Sequence, residues 1–195
     1  MVSSTHTIYD DLGVRPVINA AGNATRLGGS VLPASVRAAM EAAGDVYVDM
    51  DELLRATGRT IAALLGAEAA FITSGCAAAI ALGTAACITG DDVAKMERLP
   101  DTGMKRDVLI QKRTRYKYDR LPTVVGARLV EVGDAQGCTT EQLAAALGPD
   151  TAAVLYFARA AQERTAVLPL EEVVAVAHGK GVPVLVDAAA EVYPL

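Results

Sequence analysis

Short apolar segments that alternate with helix-like segments along residues 69–187 constrain the fold more than any other feature of this sequence. The apolar segments have the length of ordinary strands, and the segments between them carry apolar residues at helical spacing. Strands that alternate with helices form parallel βαβ units, with helices on both faces of the sheet. The sequence therefore predicts an α/β fold with three layers (αβα) and a mostly parallel sheet. The predicted strands are residues 69–73, 107–111, 128–132, 152–157 and 182–187, and the predicted helices are 75–87, 116–125, 140–147 and 170–178.

The residues before this alternating region have a different pattern. Residues 1–32 contain glycines and a proline that break any period, which predicts an irregular N-terminal arm. A helix is expected from Pro33 to near Gly44, and a second from an Asp51 cap to Gly66. We therefore predict an arm with the first helix over residues 1–50, a sheet domain over residues 51–195, and a mobile loop within that domain at residues 91–106.

Composition favours helices packed on a sheet and argues against a nucleic-acid partner. The 195 residues are 52% hydrophobic but only 4% aromatic, with no Trp, so the core must be aliphatic. A net charge of −5 provides no basic face for the phosphates of a nucleic acid. The densest basic stretch, residues 112–117, is expected to be solvated or to bind a small anion.

Cysteine usage and hydropathy indicate the compartment. Three cysteines without paired spacing, and no recognisable signal peptide, favour a reduced, cytoplasmic environment. Residues 69–90 carry no charge, but Gly75 and Gly83 interrupt them, so no unbroken apolar run of ~20 residues is present to cross a bilayer. We expect a soluble protein with no membrane partner.

Ligands of open α/β sheets bind at the carboxyl ends of the strands, so residues that follow a predicted strand are candidates. The first such stretch, residues 73–76, consists of small residues at the point where a strand gives way to a helix. Free backbone N–H groups and the helix dipole favour a phosphate there. The alternative is a helix cap in a tight turn with no ligand. The corresponding later stretches are residues 111–114, 156–159 and 187–190.

Cys76 lies at the same helix start, where a thiolate would be stabilised. A nucleophilic cysteine needs a base, and the sequence has only His6, in the arm, and His178, at a helix end. Neither histidine has the context of a catalytic triad or a metal site. Cys76 is therefore expected to be a small packing residue.

Asp187 follows the last aliphatic strand, where a carboxylate is costly unless it is paired or hydrogen-bonded. A protonated ring nitrogen is a good partner, as in enzymes that hold pyridoxal phosphate above a carboxylate. The alternative is an N-cap for a following helix. A phosphate cup after the first strand and a carboxylate after the last would hold opposite ends of one aromatic phosphate ester. No dinucleotide or P-loop glycine motif is present.

Several short motifs, spread in order over nearly the whole chain, form a pattern more specific than any one of them. This pattern resembles the SelA-like (selenocysteine-synthase-like) branch of fold-type I pyridoxal phosphate enzymes. That branch includes L-seryl-tRNA(Sec) selenium transferase and the D-glucosaminate-6-phosphate ammonia lyases, which the sequence resembles most. The motifs are residues 9–22, 25–30, 48–53, 66–70, 73–75, 108–112, 126–133 and 184–190.

The resemblance implies roles for particular residues. Ser74, Gly75 and Cys76 would hold the phosphate of pyridoxal 5'-phosphate, and Asp187 would pair with its pyridine nitrogen. A homodimer or higher homo-oligomer is also implied. The substrate-side candidates are Thr25 and Arg26, near this active site or that of a dimer partner, and Gln111 and Arg115, flanking the ring or the small-molecule substrate.

Two residues depart from the pattern of the resembling family. Thr114 stands where the family pattern has a histidine able to stack on the cofactor ring. The position that contacts the ring would therefore carry a threonine side chain in this sequence. Asn23 stands where a small or hydroxyl residue is more common.

The largest departure concerns the Schiff-base lysine, which in such enzymes follows the aspartate by a couple of dozen residues. The sequence ends eight residues after Asp187, and its lysines have no such context. We therefore expect no catalytic residue here, and a partial cofactor-binding large domain without the last strands or the small C-terminal domain. The lysines are Lys95, Lys105, Lys112, Lys117 and Lys180.

Several functional hypotheses remain open at this point. The leading one is an inactive, truncated part of a lyase or transferase that uses pyridoxal phosphate on a small amino acid or amino sugar, by β-elimination. A second is a non-catalytic remnant that binds a phosphate compound or pairs with a full-length homologue. A selenium-transferase-like enzyme and an α/β domain with an unrelated ligand are further alternatives.

Overall fold

The computed structural model describes residues 7–22, 24–101, 103–189 and 191. Contacts divide them into two compact units, one up to Ala70 and one from Phe71 onward. No helix in the described ranges is long and apolar enough to cross a membrane. The first unit is helical. Its elements are α1 (Ile8–Asp11), a 3-10 turn (Thr25–Leu27), α2 (Ala34–Ala43) and α3 (Met50–Leu65).

Both longer helices of the first unit were predicted, with small shifts at their ends. α2 was expected to start at Pro33, but Pro33 is its N-cap and the helix runs from Ala34 to Ala43, with Gly44 as the C-cap. The N-cap of α3 lies two residues earlier than predicted, at Asp49 instead of Asp51, because the side chain of Asp49 accepts a hydrogen bond from the backbone N–H of Glu52 at 2.9 Å. The division after Ala70 does not test the predicted boundary near residue 50, which stays a prediction.

The second unit contains the alternating strands and helices that the sequence predicted. The capping box of Thr139 and Gln142 is present at the start of the helix Thr140–Ala146. Three short turns, at Val93–Met96, Lys112–Thr114 and Ala158–Glu163, were not predicted. The elements are α4 (Cys76–Thr89), α5 (Val93–Met96), β1 (Asp107–Gln111), 3-10 turns (Lys112–Thr114, Leu121–Val125), β2 (Arg128–Val132), α6 (Thr140–Ala146), β3 (Thr151–Phe157), α7 (Ala158–Glu163), α8 (Leu170–His178) and β4 (Val184–Asp187).

The four strands form one parallel sheet in the order β2-β1-β3-β4. α4, which precedes β1, and the turn at Leu121–Val125 cover one face of the sheet, and α6 and α8 cover the other. The α/β class, the parallel sheet and the three layers are therefore confirmed.

Alternate strand residues supply two separate cores, one on each face of the sheet. Leu109 faces the layer of α6 and α8, where it joins Leu143 and Val173. Val108 and Ile110 face the layer of α4. All five side chains named here are almost fully buried, and because strand side chains alternate, one short strand can stabilise both layers.

The predicted strand at residues 69–73 is wrong. The chain forms no regular element there and pairs with no strand among the residues that the structure describes. A strand requires inter-strand hydrogen bonds, which sequence pattern alone does not supply. Phe71 and Ile72 are 66% and 47% exposed, so this apolar segment is not covered by the described chain.

The predicted helix at residues 116–125 is also wrong, because turns replace it. The carboxylate of Asp119 accepts a hydrogen bond from the backbone N–H of Tyr116 at 3.0 Å, which favours a turn over a helix. A short 3-10 turn with Pro122 at its start then runs from Leu121 to Val125 and is capped by Gly126. Similarly, Pro183 has no N–H for the ladder, so β4 begins at Val184 rather than at residue 182.

Gly126 is a position where the fold requires glycine. Its φ is +87°, and an added Cβ would lie 1.9 Å from the carbonyl oxygen of Pro100. We expect Gly126→Ala to lower the free energy of unfolding by more than about 1 kcal/mol, measured by urea denaturation. Gly148→Ala is the matched control, because a Cβ there meets nothing within 4 Å. Equal midpoints for the two variants would contradict this account of Gly126.

Candidate functional site

The parallel sheet brings several predicted site residues to one edge. Gln111, Phe157 and Asp187 are the last residues of β1, β3 and β4, whose carboxyl ends lie on the same side. The first residue of α4, Cys76, is at this edge too, because its Sγ lies 3.4 Å from Oδ1 of Asp187. Two residues that are 111 positions apart in sequence are thus in direct contact.

The amino end of α4 offers free backbone donors. The N–H groups of Cys76, Ala77 and Ala78 have no acceptor within the described residues, and the cap contributes no side-chain hydrogen bond. Gly75, the capping residue, has φ +143°, and a Cβ built on it would meet nothing within 4 Å. Because α4 is 14 residues long, its dipole adds partial positive charge at this open position. These features fit a phosphate group.

The turn before α4 is held by Thr73 rather than by Ser74. The Thr73 hydroxyl donates to the carbonyl oxygen of Gly75 at 2.9 Å and accepts from the Gly75 N–H at 3.3 Å. The Ser74 side chain is exposed and has no hydrogen-bond partner among the described residues. α4 therefore begins in a tight turn with Gly75 as the N-cap and without a side-chain cap.

Asp187 is partly buried, and one oxygen of its carboxylate accepts hydrogen bonds from described residues. Its Oδ1 accepts hydrogen bonds from the Cys76 thiol at 3.4 Å and from the backbone N–H of Ala189 at 3.0 Å. Its Oδ2 has no donor in the described part of the chain. The free oxygen can accept a hydrogen bond from a cationic N–H group of a ligand.

The thiol of Cys76 is protonated at neutral pH. Burial, followed by its hydrogen bond to Asp187 and the charge of that carboxylate, raises the pKa of the Cys76 thiol to about 11. A thiol in this state is a hydrogen-bond donor and a poor nucleophile. The chemistry available at this contact is therefore donation to Asp187.

Taken together, the two ends of this edge fit a phosphate ester on a protonated heterocycle. The contact of Cys76 with Asp187 brings the free N–H groups at α4 and the free oxygen of Asp187 to the same edge of the sheet. The openness at Gly75 leaves room for a phosphate to reach the backbone. The donor set and the single carboxylate thus agree with pyridoxal phosphate, the group that the sequence pattern implied.

Gln111 and Thr114 lie at the same edge, but their polar groups bond to the protein itself. The buried amide of Gln111 donates to the carbonyl oxygen of Leu168 at 3.2 Å and accepts from its N–H at 2.7 Å. The buried Thr114 hydroxyl donates to the carbonyl oxygen of Gln111 at 2.9 Å. Their contacts with a cofactor or a substrate stay predictions.

Arg115 is held by two acidic residues that the sequence analysis did not single out. Its guanidinium donates to Asp119, which is buried, and to Glu131 on β2. The hydrogen bond to Asp119 is the main cause that raises the pKa of Arg115. The spacing of Arg115 and Asp119, four residues apart, is a signal that could have revealed this pair. Glu131 is reached only through the sheet register. A substrate contact of Arg115 stays a prediction.

Thr25 and Arg26 belong to the first unit, in an exposed 3-10 turn that ends at Gly28. Their predicted place near an active site is not tested by this arrangement. The departure at Asn23 lies outside the described residues.

An open cavity of about 650 Å³ lies at the opposite, amino-terminal edge of the sheet. Cys87, Lys95, Lys105 and Pro183 are among the residues that line it. Lys95 is already paired with Asp92 at 3.5 Å, so charges of both signs meet there. Neither Cys76 nor Asp187 lines this cavity.

Comparison with known proteins gives homologues but no family assignment. No family model matches the chain. Over 97% of its length, the chain aligns with a 5'-C-glycyluridine monooxygenase-decarboxylase from Streptomyces sp at 38% identity, and the alignment covers 49% of that protein. Over 96% of its length, it aligns with a D-glucosaminate-6-phosphate ammonia lyase from Salmonella typhimurium (strain 14028s / SGSC 2262) at 36% identity, and that alignment covers 52% of the relative.

The structural comparison agrees with the sequence comparison. A solved structure of D-glucosaminate-6-phosphate ammonia-lyase matches 96% of this chain with a TM-score of 0.91 and 36% identity, and the match covers 52% of that structure's chain. The chain thus spans about half the length of the curated relatives it matches. Over nearly its whole length, it is a homologue of about half of D-glucosaminate-6-phosphate ammonia lyase.

Proposed function

We propose that these 195 residues carry the phosphate-binding and ring-binding part of a pyridoxal phosphate site. The observation that supports this most is the contact of Cys76, at the open start of α4, with Asp187 at the end of β4. The protein of which these residues form a part would be a lyase that acts on a small amino acid or amino sugar, by β-elimination. The homology to an ammonia lyase supports that reaction class.

In this proposal the chain binds and orients the cofactor. The N–H groups of Cys76, Ala77 and Ala78 hold the phosphate, and the open backbone at Gly75 lets it approach. Oδ2 of Asp187 accepts a hydrogen bond from the protonated ring nitrogen and so favours the charged form of the ring. When bound, pyridoxal phosphate supplies an electron sink for a carbanion formed on the substrate.

We further propose that no lysine of this sequence forms the covalent bond to the cofactor aldehyde. Lys105 and Lys180 precede β1 and β4, at the edge opposite Asp187. Lys112 lies 4.0 Å from Glu131, and Lys117 stacks on the ring of Tyr118 at 4.8 Å. The missing lysine would then come from a segment that these 195 residues do not include.

A non-catalytic role is the second candidate. The free donors at α4 and Asp187 would serve a protein that only binds the cofactor or a related phosphate compound. The relatives' names denote two different reactions at similar identity. We therefore assign to these residues a role that both reactions could share, which is to hold the ligand.

The partner proposals rest on less specific features. A homo-oligomer would cover apolar side chains of the first unit such as Ile18, Val31 and Tyr47, which are exposed in the single chain. No nucleic-acid partner is proposed, because the net charge is −5.

Titration of the purified chain with pyridoxal phosphate tests the proposal. We expect reversible binding, seen as a saturable change of the visible spectrum, that inorganic phosphate weakens by competition at α4. Treatment with borohydride followed by mass spectrometry should show no stoichiometric lysine adduct. If pyridoxal phosphate does not bind, the proposed site is wrong, and if one lysine is labelled stoichiometrically, the proposal about the missing lysine is wrong.

A further inference from the structure

Cys76 contributes two different groups to the candidate site. Its backbone N–H is one of the free donors at the start of α4, and its thiol donates to Oδ1 of Asp187 at 3.4 Å. The first group belongs to the phosphate side of the site and the second touches the carboxylate of the ring side. One residue therefore connects both ends of the ligand position.

The carboxylate of Asp187 is held asymmetrically. Its two donors among the described residues, the Cys76 thiol and the Ala189 N–H, both bond to Oδ1. A carboxylate that is bonded at one oxygen from two directions has a restricted rotation, and its second oxygen keeps one orientation. Removing the thiol would leave a single backbone donor on Oδ1.

Close packing of α4 on β4 keeps this contact in place. Gly83 of α4 lies against Leu185 of β4, where an added Cβ would stand 3.1 Å from the leucine Cδ2. Glycine at this position lets the helix approach the strand closely. The amino end of α4 and the carboxyl end of β4 are then fixed relative to each other.

We propose that Cys76 is a positioning residue that orients Asp187 toward a protonated ring nitrogen and so couples ring recognition to phosphate recognition. The inference rests on the proposed function and adds the residue that links its phosphate-binding and ring-binding parts. The ligand is a phosphate monoester of a protonated heterocycle, and it needs both ends for full affinity. Inorganic phosphate, or the ring without its phosphate, uses only half of the contacts.

The contact itself is tested without any cofactor, by the rate at which iodoacetamide alkylates each cysteine at pH 8. Because the thiol of Cys76 has a raised pKa, we expect it to react about tenfold or more slowly than an ordinary thiol. Asp187→Asn should accelerate Cys76 about fivefold, since the charge and the stronger acceptor are removed. Cys138, whose raised pKa owes nothing to Asp187, is the internal control in the same digest.

The coupling is tested by the affinities of two variants for three probes. Cys76→Ala removes the thiol and keeps the backbone N–H, so it should bind pyridoxal phosphate about fivefold more weakly and inorganic phosphate as before. Cys76→Ser keeps a donor and should recover most of the affinity. Pyridoxal, without phosphate, should bind weakly to all three proteins.

Each outcome decides a separate statement. If Cys76 reacts equally fast in the original chain and in Asp187→Asn, the positioning contact is refuted. Equal loss of pyridoxal phosphate and inorganic phosphate in Cys76→Ala would show damage to the helix start and would also refute the proposal. If the original chain binds no pyridoxal phosphate, the proposed function and the coupling both fail, while the alkylation rates still decide the contact.

Discussion

Replacing Asp187 with alanine is expected to weaken the binding of pyridoxal phosphate by about tenfold to hundredfold. The reason is that a hydrogen bond between charged partners contributes ~1.5–3 kcal/mol, and Oδ2 is the free acceptor at the ring end of the site. The affinity for inorganic phosphate should change much less, because the backbone donors at α4 remain. Titrations followed by the visible spectrum or by calorimetry measure both constants.

Asp150→Ala is the matched control for this variant. Asp150 is an exposed aspartate that precedes β3, at the opposite edge of the sheet, so the same change of charge is made away from the site. We expect its affinity for pyridoxal phosphate to stay within about twofold of the original. Similar losses in both variants would show that net charge, rather than the position of Asp187, governs binding.

The largest expected effect on stability is that of Leu109→Ala. Leu109 is 1% exposed in the centre of β1, where it packs on the layer formed by α6 and α8. Removing a buried leucine side chain leaves a cavity, and such changes cost ~2–5 kcal/mol. Because folded domains are stable by only ~5–15 kcal/mol, the variant should unfold at a much lower urea concentration.

Leu82→Ala provides the comparison, because Leu82 is 51% exposed on α4. We expect it to change the free energy of unfolding by less than about 1 kcal/mol. The contrast tests whether the sheet and its two helical layers form the cooperative core. An equally small effect at Leu109 would mean that the described packing does not stabilise the chain.

The sheet could be predicted from the sequence because its signals are local. Residues 107–111 and 128–132 are short, mostly apolar segments that are followed by Lys112 and Gly133, and both were predicted with their observed bounds. The capping box at Thr139 likewise needs only residues three positions apart. Periodicity also predicts that both sheet faces are covered, which the two cores confirm.

The errors concern interactions between distant residues. Residues 69–73 have strand-like composition, but a strand also requires a neighbour, and none is present in the described part of the chain. The turns at residues 116–125 depend on where the Asp119 carboxylate bonds, which competes with the helical pattern.

The same distinction applies to the candidate site. Small residues at the start of α4 and a carboxylate after β4 could be singled out, because each follows a recognisable strand or helix boundary. The contacts of Cys76 with Asp187 and of Gln111 with Leu168 depend on the order of the strands in space. A sequence pattern does not contain the distances between residues that are far apart along the chain.

The most direct test of the account is an amide ¹H–¹⁵N NMR titration of the chain with pyridoxal phosphate. We predict that the largest shifts occur at the amides of Gly75, Cys76, Ala77 and Ala78, with a second group at Asp187 and Ala189. Amides that line the opposite cavity, such as those of Cys87 and Lys105, should stay unchanged. Saturable shifts at that cavity with none at the start of α4, or no shifts at all, would contradict the proposed site.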